Sequence, residues 1–133
     1  MRVVVDTNVM VSSFFGGPPR AVIDCWRRGE ITLCVSRALV DEYVGVLSRL
    51  GMREDRMREL LELWASGYHL VFAAATRPLR IVHADSDDDK LFECAVALGA
   101  KTIVTGDKAV RRIGRYMDID VVTPVEFLAR SRG

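Results

Sequence analysis

The chain has 133 residues, half of them hydrophobic and 28% charged, which suits one packed domain and excludes a disordered chain. Nineteen Lys and Arg against eighteen Asp and Glu give a formal net charge of +1. This balance excludes a strongly basic coat that would bind duplex nucleic acid through charge alone. The longest apolar runs are far shorter than the ~20 residues that span a bilayer, and no signal-peptide core fits. We therefore expect a single domain over residues 1–133, located in the cytoplasm and without membrane contact.

The cysteines indicate the same compartment. Cys25, Cys34 and Cys94 are odd in number, lie in apolar surroundings and lack CxxC spacing. This pattern is typical of reduced core residues and argues against a disulfide framework or a zinc site.

The hydrophobic pattern predicts strands that alternate with helices. A β-branched run at 3–5 predicts the first strand, which Asp6 ends. The elements predicted after it, in chain order, are a helix at 19–28, a strand at 31–35, helices at 36–50 and 53–66, a strand at 69–72, a helix at 86–99, strands at 102–105 and 119–122, and a closing helix from 123 onward. Ser36 and Ser86 are predicted to cap the helices that they begin. Such alternation predicts an α/β fold, a three-layer α/β/α sandwich around a mostly parallel five-stranded sheet.

Acidic residues from four segments are predicted to meet at one edge of this sheet. Asp6 directly follows the first strand, and Asp107 closely follows the fourth. Functional sites of open parallel sheets lie at the carboxyl ends of the strands. The helix that contains Asp89 in its first turn begins at that edge, because it runs antiparallel to the strand that follows it. Glu42 lies about two turns into the helix that leaves the second strand.

Carboxylates that share a cleft repel one another, so they must take up protons or bind a cation. A site with only oxygen ligands favours Mg²⁺ or Mn²⁺ over zinc. Such an ion lowers the pKa of a bound water and neutralises charge on a phosphate oxygen, which suits phosphodiester hydrolysis.

Each acid also has a purely structural interpretation. Asp6, Asp87 and Asp88 could cap helices, Asp107 could belong to a turn, and Glu42 could be an ordinary surface residue. The shared edge is what favours the metal site.

The segments that carry these acids resemble the PIN-domain family, in particular its VapC-like toxins of prokaryotic toxin–antitoxin pairs. The matching segments are 3–12 with its Asp-Thr-Asn motif, Ser36 with Glu42, 85–92, and 103–107. The resemblance implies sheet order 3-2-1-4-5 and a ribonuclease that depends on Mg²⁺ or Mn²⁺. It implies that the metal-binding and catalytic residues are Asp6, Glu42, Asp89 and Asp107, and that the polar residues orienting them are Asn8, Ser36 and Thr105. Since residues 85–89 contain four acids, Asp87 or Asp88 could replace Asp89 as a ligand.

Basic residues near the fourth strand are candidates for RNA contact. Lys90, Lys108, Arg111 and Arg112 could hold the RNA backbone, because lysine and above all the planar guanidinium group suit phosphate. The alternative is a solvated helix face. The resemblance further implies a homodimer and an inhibitory antitoxin protein.

Two rival functions come from other classes. A haloacid-dehalogenase-type phosphatase also begins with an apolar strand ending in Asp, but it needs a second Asp two positions later, where this chain has Asn8. A catalytically inactive PIN-fold RNA-binding or interaction module would show neither tight divalent-metal binding nor metal-dependent RNA cleavage.

Overall fold

A computed structural model describes residues 1–82 and 86–132. The strands in this part of the chain are β1 (Arg2–Val5), β2 (Thr32–Ser36), β3 (Leu70–Ala73), β4 (Thr102–Val104), β5 (Arg115–Tyr116) and β6 (Ile119–Val122). The α-helices are α1 (Thr7–Ser12), α2 (Gly17–Arg27), α3 (Arg37–Arg49), α4 (Glu54–Ala65), α5 (Asp89–Leu98), α6 (Lys108–Ile113) and α7 (Pro124–Arg132). A short 3-10 turn at Ser86–Asp88 directly precedes α5.

The strands form one sheet in the order β3-β2-β1-β4-β6-β5. All neighbours are parallel except β5 and β6, which pair antiparallel. The predicted α/β/α fold and the order of its five strands are confirmed, with β6 in the place of the predicted fifth strand. The count of five is wrong, because the two-residue strand β5 pairs with β6 and adds a sixth strand at the side of the sheet. A strand of two residues is too short to produce a recognisable alternation of polar and apolar side chains.

The core lies around the two central strands. Val3, Val4 and Val5 of β1 and Ile103 and Val104 of β4 are completely buried. Helix α5 packs across β1, β2, β3 and β4, while α1 packs on α2 and α3. Burial on both faces explains why residues 3–5 of β1 and residues 103–104 of β4 are continuous apolar runs.

Of the two serines predicted to cap helices, one does so and the other does not. The hydroxyl of Ser36 accepts a hydrogen bond from the Leu39 amide at 3.2 Å, which confirms it as the cap of α3. The prediction for Ser86 is wrong, because the 3-10 turn occupies that position and Asp88 is the residue before α5.

The three cysteines are free thiols in the core, as predicted. Burial raises the pKa of Cys34 to about 11 and that of Cys94 to about 12. Within the described ranges, no helix is both long enough and apolar enough to cross a membrane.

Candidate active site

Asp6 lies at the carboxyl end of β1, next to the end of β4. Its backbone amide donates to the Val104 carbonyl at 3.0 Å, which continues the pairing of the two strands. Its side chain is only 7% exposed, and its Oδ2 accepts a hydrogen bond from the Thr105 hydroxyl at 2.5 Å. The pairing of β1 with β4 therefore holds this carboxylate in a buried position at the sheet edge.

The environment of Asp6 is unfavourable for its negative charge. Burial, the largest cause, raises the pKa of Asp6 above its ordinary value of 3.8. The hydrogen bond from Thr105 lowers this pKa, whereas the charges of Asp107 and Glu42 raise it. Acids from three separate segments thus act on one another at this edge, and a bound cation would relieve their repulsion.

Asp107 is joined to Asp6 through Thr105. The Thr105 hydroxyl accepts a hydrogen bond from the Asp107 amide at 3.0 Å and donates one to Asp6. Thr105 is fully buried. The Asp107 Oδ1 caps α6 by accepting from the amides of Ala109 at 2.8 Å and Val110 at 3.3 Å. The sequence predicted a turn as the structural alternative for Asp107, whereas the structure shows a helix cap, and the residue still lies at the same edge as Asp6.

Glu42 enters the edge from α3 and is held by two partners. The Thr7 hydroxyl donates to its Oε2, and the Lys90 Nζ donates to its Oε1 at 3.1 Å. Reasoning from the sequence missed the role of Thr7, although this residue lies inside the Asp-Thr-Asn motif. The neighbouring Tyr43 is fully buried and donates its hydroxyl to the Val5 carbonyl, which anchors α3 to the end of β1.

Asp89 is buried in the first turn of α5, where its Oδ1 binds backbone. It accepts from the amides of Ile81 at 3.0 Å and Val82 at 2.6 Å. Glu93, one turn further, accepts from the Leu79 amide at 2.8 Å. These bonds fasten the segment that precedes the 3-10 turn onto α5. A metal-binding role for Asp89 stays a prediction.

Other predicted residues are placed as follows. Asp87 is exposed and Asp88 is half-buried in the 3-10 turn, while Asp85 lies outside the described residues. Asn8 is exposed on α1. Ser36 caps α3 by accepting from the Leu39 amide, which is a contact with the backbone and not with one of the predicted acids.

The predicted RNA-binding residues divide into two groups. Lys108, Arg111 and Arg112 are exposed on α6, the helix that Asp107 caps. Lys90 instead is mostly buried and paired with Glu42. Three of the four basic side chains are thus exposed to solvent on α6, and the fourth contacts an acid of the site.

The donor set suits a hard divalent cation in its chemistry. Asp6, Glu42 and Asp107 offer only carboxylate oxygens, which Mg²⁺ and Mn²⁺ prefer. In the part of the chain that the structure describes, no group of three or more His, Cys, Asp or Glu side chains is arranged to hold a metal ion together.

A comparison with family models identifies the family of the chain. The model of the PIN domain matches residues 2–109, which is most of the chain. The chain belongs to the PIN-domain family. PIN domains are generally nucleases and typically use divalent metals. No curated protein and no solved structure matches the chain. The matched range contains Asp6, Glu42, Asp89 and Asp107, while β5, β6 and α7 lie outside it.

Proposed function

We propose that this PIN domain is an endoribonuclease that depends on Mg²⁺ or Mn²⁺ and forms the toxin of a toxin–antitoxin pair. The observation that carries the proposal is the buried carboxylate of Asp6, which shares the carboxyl edge of the sheet with Glu42 and Asp107. A buried acid with other acids beside it is unfavourable for stability alone, and such an arrangement is typical of functional sites. The family supports the reaction class, and the resemblance of the sequence motifs to VapC-like toxins supports the toxin subgroup.

The metal would be held by Asp6, Glu42 and Asp107, with Asp89 as the fourth predicted ligand. When bound, the ion supplies an activated water and neutralises charge on the phosphate. The Thr105 hydroxyl orients Asp6 and the Thr7 hydroxyl orients Glu42, so both carboxylates are prepared before the metal arrives.

The RNA backbone would lie along α6. Lys108, Arg111 and Arg112 project from this short helix into solvent, and Asp107 at its start belongs to the acidic edge. Replacing Arg111 and Arg112 together with Ala should reduce the salt dependence of RNA binding, because fewer counterions are released per complex. An unchanged slope would contradict this RNA path.

The decisive experiment is cleavage of a mixed RNA pool with Mg²⁺ or Mn²⁺, with and without a chelator. Wild type is compared with Asp6→Asn, which keeps the size of the side chain and removes its charge. Asp118→Asn is the matched control, because Asp118 forms an exposed ion pair with Lys101 just before β4, at the other edge of the sheet. We expect cleavage by wild type and Asp118→Asn only. Equal cleavage by Asp6→Asn would overturn the proposal.

The partner part of the proposal rests on an exposed apolar surface. Phe14, Phe15 and Leu50 line a groove beside Arg53 and Arg56, and the side chains of Phe15 and Leu50 are 80% and 61% exposed. Large exposed apolar residues are typical of protein-binding surfaces. We propose that an antitoxin protein covers this groove and that the PIN domain is a homodimer.

These partners have their own tests. Expression of wild type should arrest growth, and Asp6→Asn should not. Leu50→Glu should keep ribonuclease activity and growth arrest but escape neutralisation by a co-expressed antitoxin, because a charge in an apolar groove opposes binding. Sedimentation of the purified protein measures its mass in solution, and the mass of a monomer would contradict the proposed dimer.

One observation favours a second function, an inactive RNA-binding or interaction module. Asp89 and Asp107 each have an oxygen engaged with backbone amides, as expected of structural residues. Titration with Mn²⁺ separates the two functions, since the inactive module would bind no ion tightly. The family match argues against the phosphatase alternative. Asn8 argues against it too, because it occupies the position where such a phosphatase needs its second Asp.

A further inference from the structure

Lys90 forms the most buried ion pair in residues 1–82 and 86–132. Its Nζ lies 3.1 Å from the Glu42 Oε1, and the two side chains are 22% and 35% exposed. The exposed pair of Lys101 and Asp118, by contrast, leaves 64% and 58% of the side chains in solvent. Lys90 therefore places its charge inside the acidic edge.

The position of Lys90 on its helix is unfavourable without this pair. Lys90 is the second residue of α5, where the positive end of the helix dipole repels a cation. The negative charge of Glu42 compensates for that repulsion. Both oxygens of Glu42 have a hydrogen-bond donor, Oε1 from Lys90 and Oε2 from Thr7.

We infer that Lys90 is a built-in counter-ion of the acidic edge and competes with the divalent cation for Glu42. The inference rests on the proposed metal-dependent function and concerns the regulation of the same site. In the metal-free protein the ammonium group neutralises Glu42. A metal at this edge meets the positive charge of Lys90, so the affinity is lower than the carboxylates alone would give. Lys90 thus limits metal binding through its charge.

The test is calorimetric titration of the metal-free protein with Mn²⁺, in the absence of RNA. Lys90→Met removes the charge and keeps an unbranched chain, and Lys101→Met is the matched control at the opposite edge. We expect Lys90→Met to bind Mn²⁺ about tenfold more tightly than wild type, the size expected for removing one positive charge about 6 Å from a divalent ion in water. Lys101→Met should bind as wild type does.

Two more variants make every outcome decisive. Lys90→Arg keeps the charge and should retain an affinity close to that of wild type. Asp6→Asn should lose the binding, which assigns the measured ion to this edge. If Lys90→Met fails to fold by circular dichroism, Lys90→Gln takes its place.

The results separate this inference from the proposed function. Equal affinities of Lys90→Met and Lys101→Met would overturn the inference and leave the metal-dependent function intact. Weaker binding by Lys90→Met would also overturn it, because Lys90 would then hold Glu42 in place for the metal. Absence of Mn²⁺ binding by wild type would overturn both.

Discussion

The hydroxyl of Tyr43 links α3 to the end of β1, and its removal tests how much this link stabilises the fold. Tyr43 is completely buried, and it donates to the carbonyl of Val5, the residue before Asp6. Burial raises the pKa of Tyr43 well above its ordinary value, so the phenol stays protonated and acts as a donor. Tyr43→Phe keeps the ring and its packing against Trp64, whose centroid lies 5.7 Å away, and removes only the hydroxyl.

The expected cost follows from the buried carbonyl that loses its donor. Leaving such a group unsatisfied costs about 1–3 kcal/mol. For a chain of this length the entropy of unfolding is about 0.28 kcal/mol/K, so Tyr43→Phe should lower Tm by about 4–11 °C. The ring stays in place, so no large cavity adds to this cost.

Tyr68→Phe provides the matched control. The Tyr68 hydroxyl donates to the Arg27 carbonyl at 2.6 Å, but the residue is 39% exposed, so water can replace the lost donor. Its substitution should change stability by less than about 0.5 kcal/mol. Thermal unfolding followed by circular dichroism compares the two variants. Equal losses of Tm, or no loss for Tyr43→Phe, would refute the reasoning.

Three further predictions follow from buried groups. Asp6→Asn should be more stable than wild type at neutral pH, because burial raises the pKa of Asp6 and wild type loses stability as pH rises from the ordinary value of 3.8 through the raised pKa. Urea unfolding from acidic to neutral pH measures this difference, and a difference independent of pH would contradict it. Thr105→Val removes the hydroxyl that bridges two acids and should reduce Mn²⁺-dependent RNA cleavage about 10–100-fold. Thr102→Val, buried at the other end of β4, should cleave as wild type does. The thiols of Cys34 and Cys94, with pKa values of about 11 and 12, should resist a thiol reagent in the native protein and react after unfolding. Modification of the native protein would show that these residues are accessible.

Much of the fold follows from local sequence patterns. The run Val3–Val5 predicts a central strand, and Asp6 at its end predicts the edge where the acids meet. Ser36 is recognisable as a helix cap because its partner is only three residues away. The family model and the sheet order confirm this part, since periodicity and capping depend on neighbours along the chain.

The sequence by itself thus determined five of the six strands, most of the helices and their order, and it predicted which acids stand near the edge, while the short elements α1, α6 and β5 were missed. Only the tertiary structure decided what each side chain contacts. Lys90 meets Glu42 across 48 residues, and Thr105 meets Asp6 across 99. Asp89 binds backbone at 81 and 82 because α5 packs against that segment. Such contacts depend on how helices and strands pack against one another in space. Local sequence patterns do not predict them, because the two partners belong to different segments of the chain.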